Sequence, residues 1–200
     1  LAKRQRPLPM IGVVKAARLY GGLEVETTLD PNAQPFLFDH RIDGVPVLPG
    51  VMGTESFAEL ATLLFPGYQV AAIENEQFMA PFKFFRHQPR TLYLEATARA
   101  GANGEIVAHT TLTGATPAPK PELPPQVKVH FTADVRLTAA ELESPTVASL
   151  PAPIGKTVAA ADIYKIYFHG PAYQVLDEVG MAGGVVVGRM THLLPPNTAP

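Results

Sequence analysis

Residues 36–59, FLFDHRIDGVPVLPGVMGTESFAE, constrain this chain more than any other segment. A short apolar run ends at His40 and passes into a turn rich in Gly and Pro (Gly44, Pro46, Pro49, Gly50). Helical spacing then takes over. Gly53, Ser56, Phe57, Leu60, Ala61 and Leu64 fall on one stripe of residues 51–65. Several of these are small, so a sheet can wrap closely around the helix they predict. A histidine beside the N-terminus of a buried helix also suits enolate chemistry. The imidazole can take a proton, and the helix amides can hold developing negative charge.

Around that helix the spacing is that of strands. In residues 19–29, Leu23, Val25, Thr27 and Leu29 alternate with Glu24, Glu26 and Thr28, the pattern of a half-buried strand. Residues 71–78, 91–100, 105–113 and 126–137 read as further strands, and GANG joins the second and third of these as a hairpin. One central helix followed by an antiparallel meander predicts an α+β fold.

The 21 prolines act as punctuation. ATPAPKPELPP, residues 115–125, must be a loop, because proline cannot sit in a central strand. ESPTVASLPAPIG, residues 143–155, reads as an extended linker. Beyond it, residues 159–168 suggest a short helix, and 173–181 and 184–190 suggest strands joined by a turn at Ala182–Gly183. The expected division is a first unit over 1–142, a linker over 143–157 and a second unit over 158–200. Two strands and a short helix cannot bury a core alone. The second unit is therefore expected to dock on the first or to continue beyond Pro200.

An apolar content of 46% supports a sizeable core. A net charge of −2 with scattered Lys and Arg argues against a nucleic-acid surface, and Lys3, Arg4 and Arg6 read as a solvated linker remnant. No apolar run reaches membrane-spanning length, and no signal peptide is visible. Leu1 is not an initiator methionine, so the chain is expected to be part of something longer. The absence of cysteine excludes disulfides and thiol chemistry and fits a cytoplasmic setting.

The other candidates read more plainly. His87 lies in a polar RHQPR loop, His109 and His130 lie in strands and are expected to face solvent, and His192 ends a strand. His169 sits in an FHGP turn. Asp39 neighbours His40, and in a strand it would point to the opposite face. Asp43 reads as a turn-former. Phe36, Phe38, Met52, Phe57 and Phe78 are core-type residues that could also line a tunnel. Tyr167 and Tyr173 read as core or wall aromatics rather than acids, their reference pKa being near 10. No His/Cys spacing suggests a metal.

His40, Gly44 and Pro49 fit an HxxxGxxxxP pattern, and through it the chain resembles the dehydratase domains of modular polyketide synthases and of polyunsaturated-fatty-acid-type synthases. The wording PVLPGVMGTESFAE is also similar to stand-alone bacterial 3-hydroxyacyl-carrier-protein dehydratases. YFHGPAYQ, residues 167–174, resembles the YGPxFQ segment that opens the second half of the polyketide dehydratase. The resemblance implies a double hotdog, two sheets each wrapped around a long helix, with the second repeat incomplete here. It implies dehydration of a 3-hydroxyacyl thioester, carried on the phosphopantetheine of an acyl carrier protein, to the 2-enoyl thioester.

In that scheme His40 is the general base and the Gly50 N–H receives the thioester carbonyl. Pro49 has no N–H, so Gly50 carries the first amide after the turn; having no side chain, it is also expected to let the thioester approach the backbone. Gly44, Pro49, Tyr167, His169, Gly170 and Pro171 are implied at the substrate site. The acid is implied to be an Asp on the second helix, in a DxxxQ or DxxxH setting, expected beyond Pro200. Glu55, counted from Pro49, occupies the place of the acid in the stand-alone enzymes. No metal or organic cofactor is implied. The expected partners are the carrier protein and neighbouring synthase domains, with a homodimer formed through the parent synthase. Same-fold alternatives are an enoyl isomerase or a product-template cyclase, and a further alternative is an inactive structural domain of a megasynthase. A hotdog thioesterase acting on acyl-CoA fits less well with the GVPVLPG turn.

Overall fold

The computed structural model describes residues 8–19, 22–116, 124–142 and 151–191. Strand β1 (Val13–Arg18) runs antiparallel to β2 (Gly22–Leu29). A 3-10 turn (Pro35–Asp39) and a two-strand ribbon, β3 (Arg41–Ile42) with β4 (Val45–Pro46), lead into helix α1 (Gly50–Leu64). Then come β5 (Gln69–Phe78), β6 (Arg90–Ala100), β7 (Ile106–Thr116) and β8 (Gln126–Thr138). These close a six-stranded antiparallel sheet of order β1-β2-β6-β7-β8-β5, which wraps α1.

The wrap is tight because α1 presents small residues to the sheet. A Cβ on Gly53 would lie 2.3 Å from Cδ2 of Phe131 on β8, a distance no packed pair tolerates. Phe57, Leu60 and Ala61 are fully buried beside it and meet Leu94, Leu112 and Val135 in one core. The alternation expected in β2 holds: Leu23, Val25, Thr27 and Leu29 are buried while Thr28 is exposed. The stripe on α1 contains one residue that periodicity did not single out. Glu59 is buried, and its Oε2 accepts the Met10 N–H at 2.8 Å.

The second repeat is represented by β9 (Val158–Ala159), the single turn α2 (Ala160–Ile163), β10 (Leu176–Ala182) and β11 (Val185–Met190), in a three-stranded sheet of order β11-β10-β9. The expected helix over 159–168 is thus only one turn long. Ala159 caps it with no side-chain acceptor, and Gly170 and Pro171 follow soon after. The strand expected from Tyr173 begins at Leu176, because Pro171–Tyr173 form a 3-10 turn. The hairpin turn falls on Gly183 and Gly184, whose φ of +56° and +83° fit a type I′ turn. Strand β1, which no alternation announced, forms the sheet edge and is mostly exposed.

His130 corrects a second expectation. It is buried, with 2% exposure, and does not face solvent. His109 is exposed as expected and pairs with Asp134 at 2.9 Å. The hairpin turn in GANG is formed by Asn103 and Gly104 at positive φ. His192 and most of the two proline-rich stretches lie outside the described residues. Among the described residues no helix is long and apolar enough to cross a membrane.

Candidate functional site

His40 does not end a strand. Pro35–Asp39 form a 3-10 turn, and the His40 N–H bonds the Leu37 carbonyl at 3.3 Å. The chain then reverses through Asp43 and Gly44, both at positive φ (+52° and +76°), so that β4 returns alongside β3. Gly44 stands at the exposed tip of this reversal, with nothing within 4 Å of the place where a Cβ would be. The returning segment is held on both sides. Val47 N–H bonds the His40 carbonyl at 2.9 Å, Leu48 N–H bonds Phe82 O at 2.9 Å, and Phe84 N–H bonds Pro46 O at 2.8 Å. Pro49 then starts α1, and its carbonyl accepts the N–H groups of Met52 and Gly53.

This reversal fixes the imidazole. His40 Nδ1 lies 2.9 Å from the Val47 carbonyl oxygen, which can only accept. Nδ1 therefore carries the hydrogen, and in the neutral ring Nε2 keeps its lone pair. Burial lowers the His40 pKa below its ordinary value, the Val47 carbonyl opposes that shift, and His169 adds to the lowering.

The second motif covers the ring. Phe168, His169 and Tyr173 stand edge-on to His40, with centroids 5.0, 5.6 and 5.6 Å away. Phe168 stacks on His169 at 4.4 Å with 19° between their planes. Tyr173 also reaches the first turn of α1, its hydroxyl lying 3.8 Å from Met52 Sδ. Its pKa is pushed up to about 12, by burial first and then by the charge of Asp39, so the phenol keeps its proton. Tyr167 lies at the exposed side of the group, 6.1 Å from the His169 ring.

What joins the two motifs is Asp39, which the sequence reading set aside. Its carbonyl accepts the Gly170 N–H at 2.7 Å, and its Oδ2 accepts the Ala172 N–H at 3.0 Å. His40 and His169 pair as an isolated antiparallel bridge alongside. Gly170 is required here, because a Cβ would lie 2.4 Å from Asp39 Oδ1. In a strand Asp39 would point away from the face of His40; residues 35–39 form a 3-10 turn instead, with Pro35 at its start, and that geometry does not apply. Pro35 was the available signal.

The remaining candidates divide. Gly50 opens α1, where first-turn amides have no intrahelical acceptor. The space over its Cα is filled by Phe78, whose Cε1 would sit 3.0 Å from a Cβ. Glycine at this position is thus explained by ring packing. Glu55 lies on the exposed face of α1. Pro171 opens the 3-10 turn that carries Tyr173. Phe57 is core, and Phe78 packs edge-on against Phe131 at 5.0 Å. Among the described residues no group of His, Asp and Glu is arranged to hold a metal.

A sheet wrapped around a helix, with a histidine pinned at the helix start and a second motif folded over it, defines a hotdog domain of the dehydratase type. The family described as polyketide synthase dehydratase domain matches residues 9–111, and the chain belongs to it. No curated protein sequence matches the chain. Among solved structures, the dehydratase domain from the CurF module of the curacin polyketide synthase aligns with TM-score 0.75 at 14% identity, over 95% of this chain and 67% of that one. The dehydratase domain of a mycocerosic acid synthase-like polyketide synthase aligns with TM-score 0.72 at 20% identity, over 97% and 65%. A trans-AT polyketide synthase dehydratase domain from Brevibacillus brevis aligns with TM-score 0.66 at 20% identity, over 94% and 64%. The chain thus spans 64% of the last of these domains and 67% of the first.

Proposed function

We propose that this chain supplies the histidine half of a site that dehydrates a 3-hydroxyacyl thioester, carried on the phosphopantetheine of an acyl carrier protein. The hydrogen bond from His40 Nδ1 to the Val47 carbonyl carries this reading. It holds Nε2 as the basic nitrogen, and the lowered pKa keeps that nitrogen unprotonated near neutral pH. Nε2 takes the C2 proton, which the thioester carbonyl acidifies. The C–H electron pair moves into the C2–C3 bond, and the C3–O bond breaks. The first-turn amides of α1, Gly50 first, suit the oxygen on which negative charge develops.

The hydroxyl must leave with a proton, as water. The family resemblance assigns that proton to an Asp on a second helix, beyond Pro200. His169, Gly170, Pro171 and Tyr167 then form the substrate side of the site, with Tyr173 as a protonated wall. No step in this scheme needs a metal or an organic cofactor. The carrier protein and neighbouring synthase domains are the partners this chemistry requires.

The test is mass spectrometry of a 3-hydroxyacyl carrier-protein thioester incubated with a polypeptide that carries both this chain and the second-helix acid. Loss of water with the wild type and none with His40→Ala is the expected result. Equal conversion by both overturns the assignment. Migration of a preformed double bond without loss of water marks an isomerase instead.

A further inference from the structure

We propose that Asp39 is a positioning residue of this site: its carboxylate and its backbone carbonyl together clamp the second motif over His40. The proposal rests on the dehydratase reading for its consequence but on geometry alone for its existence. Asp39 is tied to residues far along the chain, with 133 positions separating it from Ala172. It accepts two hydrogen bonds, from the Gly170 N–H at 2.7 Å and from the Ala172 N–H at 3.0 Å. Gly170 lets the two segments close to that distance. Every aromatic ring that covers His40 from the second half, Phe168, His169 and Tyr173, lies within three residues of Gly170.

The clamp explains an otherwise isolated arrangement. The His40–His169 bridge stands outside any named strand, so no ladder holds it in register. A charge-assisted bond to a backbone N–H is roughly twice as strong as a neutral one, which suits a single contact that must replace a ladder. Acceptor geometry and negative charge are separate properties of the carboxylate. Asp39→Asn keeps an oxygen for the Ala172 N–H and removes the charge; Asp39→Ala removes both.

The experiment is NMR on the full chain, following ring-to-ring contacts and the His40 titration; the titratable groups at that ring are His169 and Tyr173, with Asp39 acting on Tyr173. In Asp39→Ala the contacts from His40 to Phe168 and Tyr173 disappear, and the His40 midpoint rises toward the ordinary 6.5 as its cover is lost. In Asp39→Asn those contacts persist, while the Tyr173 phenol titrates lower than in the wild type. Gly170→Ala, which drives a Cβ into Asp39, reproduces the loss of contacts seen with Asp39→Ala. Unchanged contacts and an unchanged His40 midpoint in Asp39→Ala overturn the proposal. If Asp39→Ala does not fold, Asp39→Asn and Gly170→Ala decide: contacts kept in the first and lost in the second support it, and the same behaviour in both overturns it. On the thioester, in the polypeptide that also carries the acid, Asp39→Ala is expected to lose about 10²-fold in kcat/KM, the scale of a small misplacement of catalytic and substrate-side groups. An inactive wild type removes the dehydratase reading and leaves the NMR result standing.

Discussion

The Nδ1 atom of His40 is 2.9 Å from the carbonyl oxygen of Val47, so one tautomer of the imidazole is fixed by the backbone reversal that precedes α1. In the dehydratase reading the rate on the thioester then follows the unprotonated fraction of His40. Burial sets that midpoint below the ordinary 6.5. The plot of kcat/KM against pH is therefore expected to climb through an acidic limb centred below 6.5 and to be flat just above it. A limb centred above 6.5 would contradict the assignment of His40 as a buried base. Nitrogen-15 shifts of the ring, measured on the same samples, should report Nδ1–H and an unprotonated Nε2.

Gly53→Ala tests the closeness of helix and sheet. Alanine is worth about 1 kcal/mol over glycine in a helix interior. Against that gain stands overpacking of about 1–3 kcal/mol, since the new Cβ meets two ring carbons of Phe131 at 2.3 and 2.6 Å. The ring cannot swing away freely, because Phe78 stands edge-on to it at 5.0 Å. A net loss of up to about 2 kcal/mol is expected in urea unfolding, and adding Phe131→Leu should make the pair less destabilised than the sum of the singles.

Much of this fold was legible because one face of each long strand is buried. A period of two in residues 23–29, and the small stripe on α1, report that burial directly. The pieces that were not legible are short, or owe their place to distant partners. β3, β4 and β9 have two residues each, too few to show a period. β1 is an exposed edge, so nothing selects alternation in VVKAAR. Polar burial is invisible to periodicity: Glu59 meets Met10 across 49 positions, and His130 meets Ala80 across 50. At the candidate site the histidine, the turn and the helix start were readable as one local segment. Asp39 was not, because its partners lie in the other half of the chain.

Glu59 gives a prediction about the N-terminal segment. Its Oε2 accepts the Met10 N–H at 2.8 Å, while Thr27 Oγ1 donates to the Met10 carbonyl at 2.8 Å and accepts the Gly12 N–H at 2.9 Å. Both backbone groups of Met10 are thus held by side chains. Glu59→Ala removes a buried acceptor and leaves the Met10 N–H without it, a loss of about 1–3 kcal/mol. Hydrogen exchange should show protection at the Met10 amide falling sharply, while Gly12, still bonded to Thr27, loses less. Equal protection of Met10 in the variant would refute the link.

His130 is expected to contribute to the response of the fold to acid. Its Nδ1 lies 3.1 Å from the Ala80 carbonyl, its ring stands edge-on to Phe82 at 4.9 Å, and Arg90 sits over that same Phe82 ring at 4.1 Å. Burial lowers the His130 pKa, the Ala80 carbonyl opposes this, and the charges of Arg90 and Lys128 lower it further. The unfolded chain therefore binds a proton at His130 before the folded chain does. Stability is intact above the ordinary 6.5 and is lost as pH falls from there to the lowered folded value. His40 contributes in the same direction. Urea unfolding across this window should show a falling free energy in the wild type and a shallower fall in His130→Gln, which has no proton to gain. Parallel slopes for the two proteins would mean that His130 does not carry the effect.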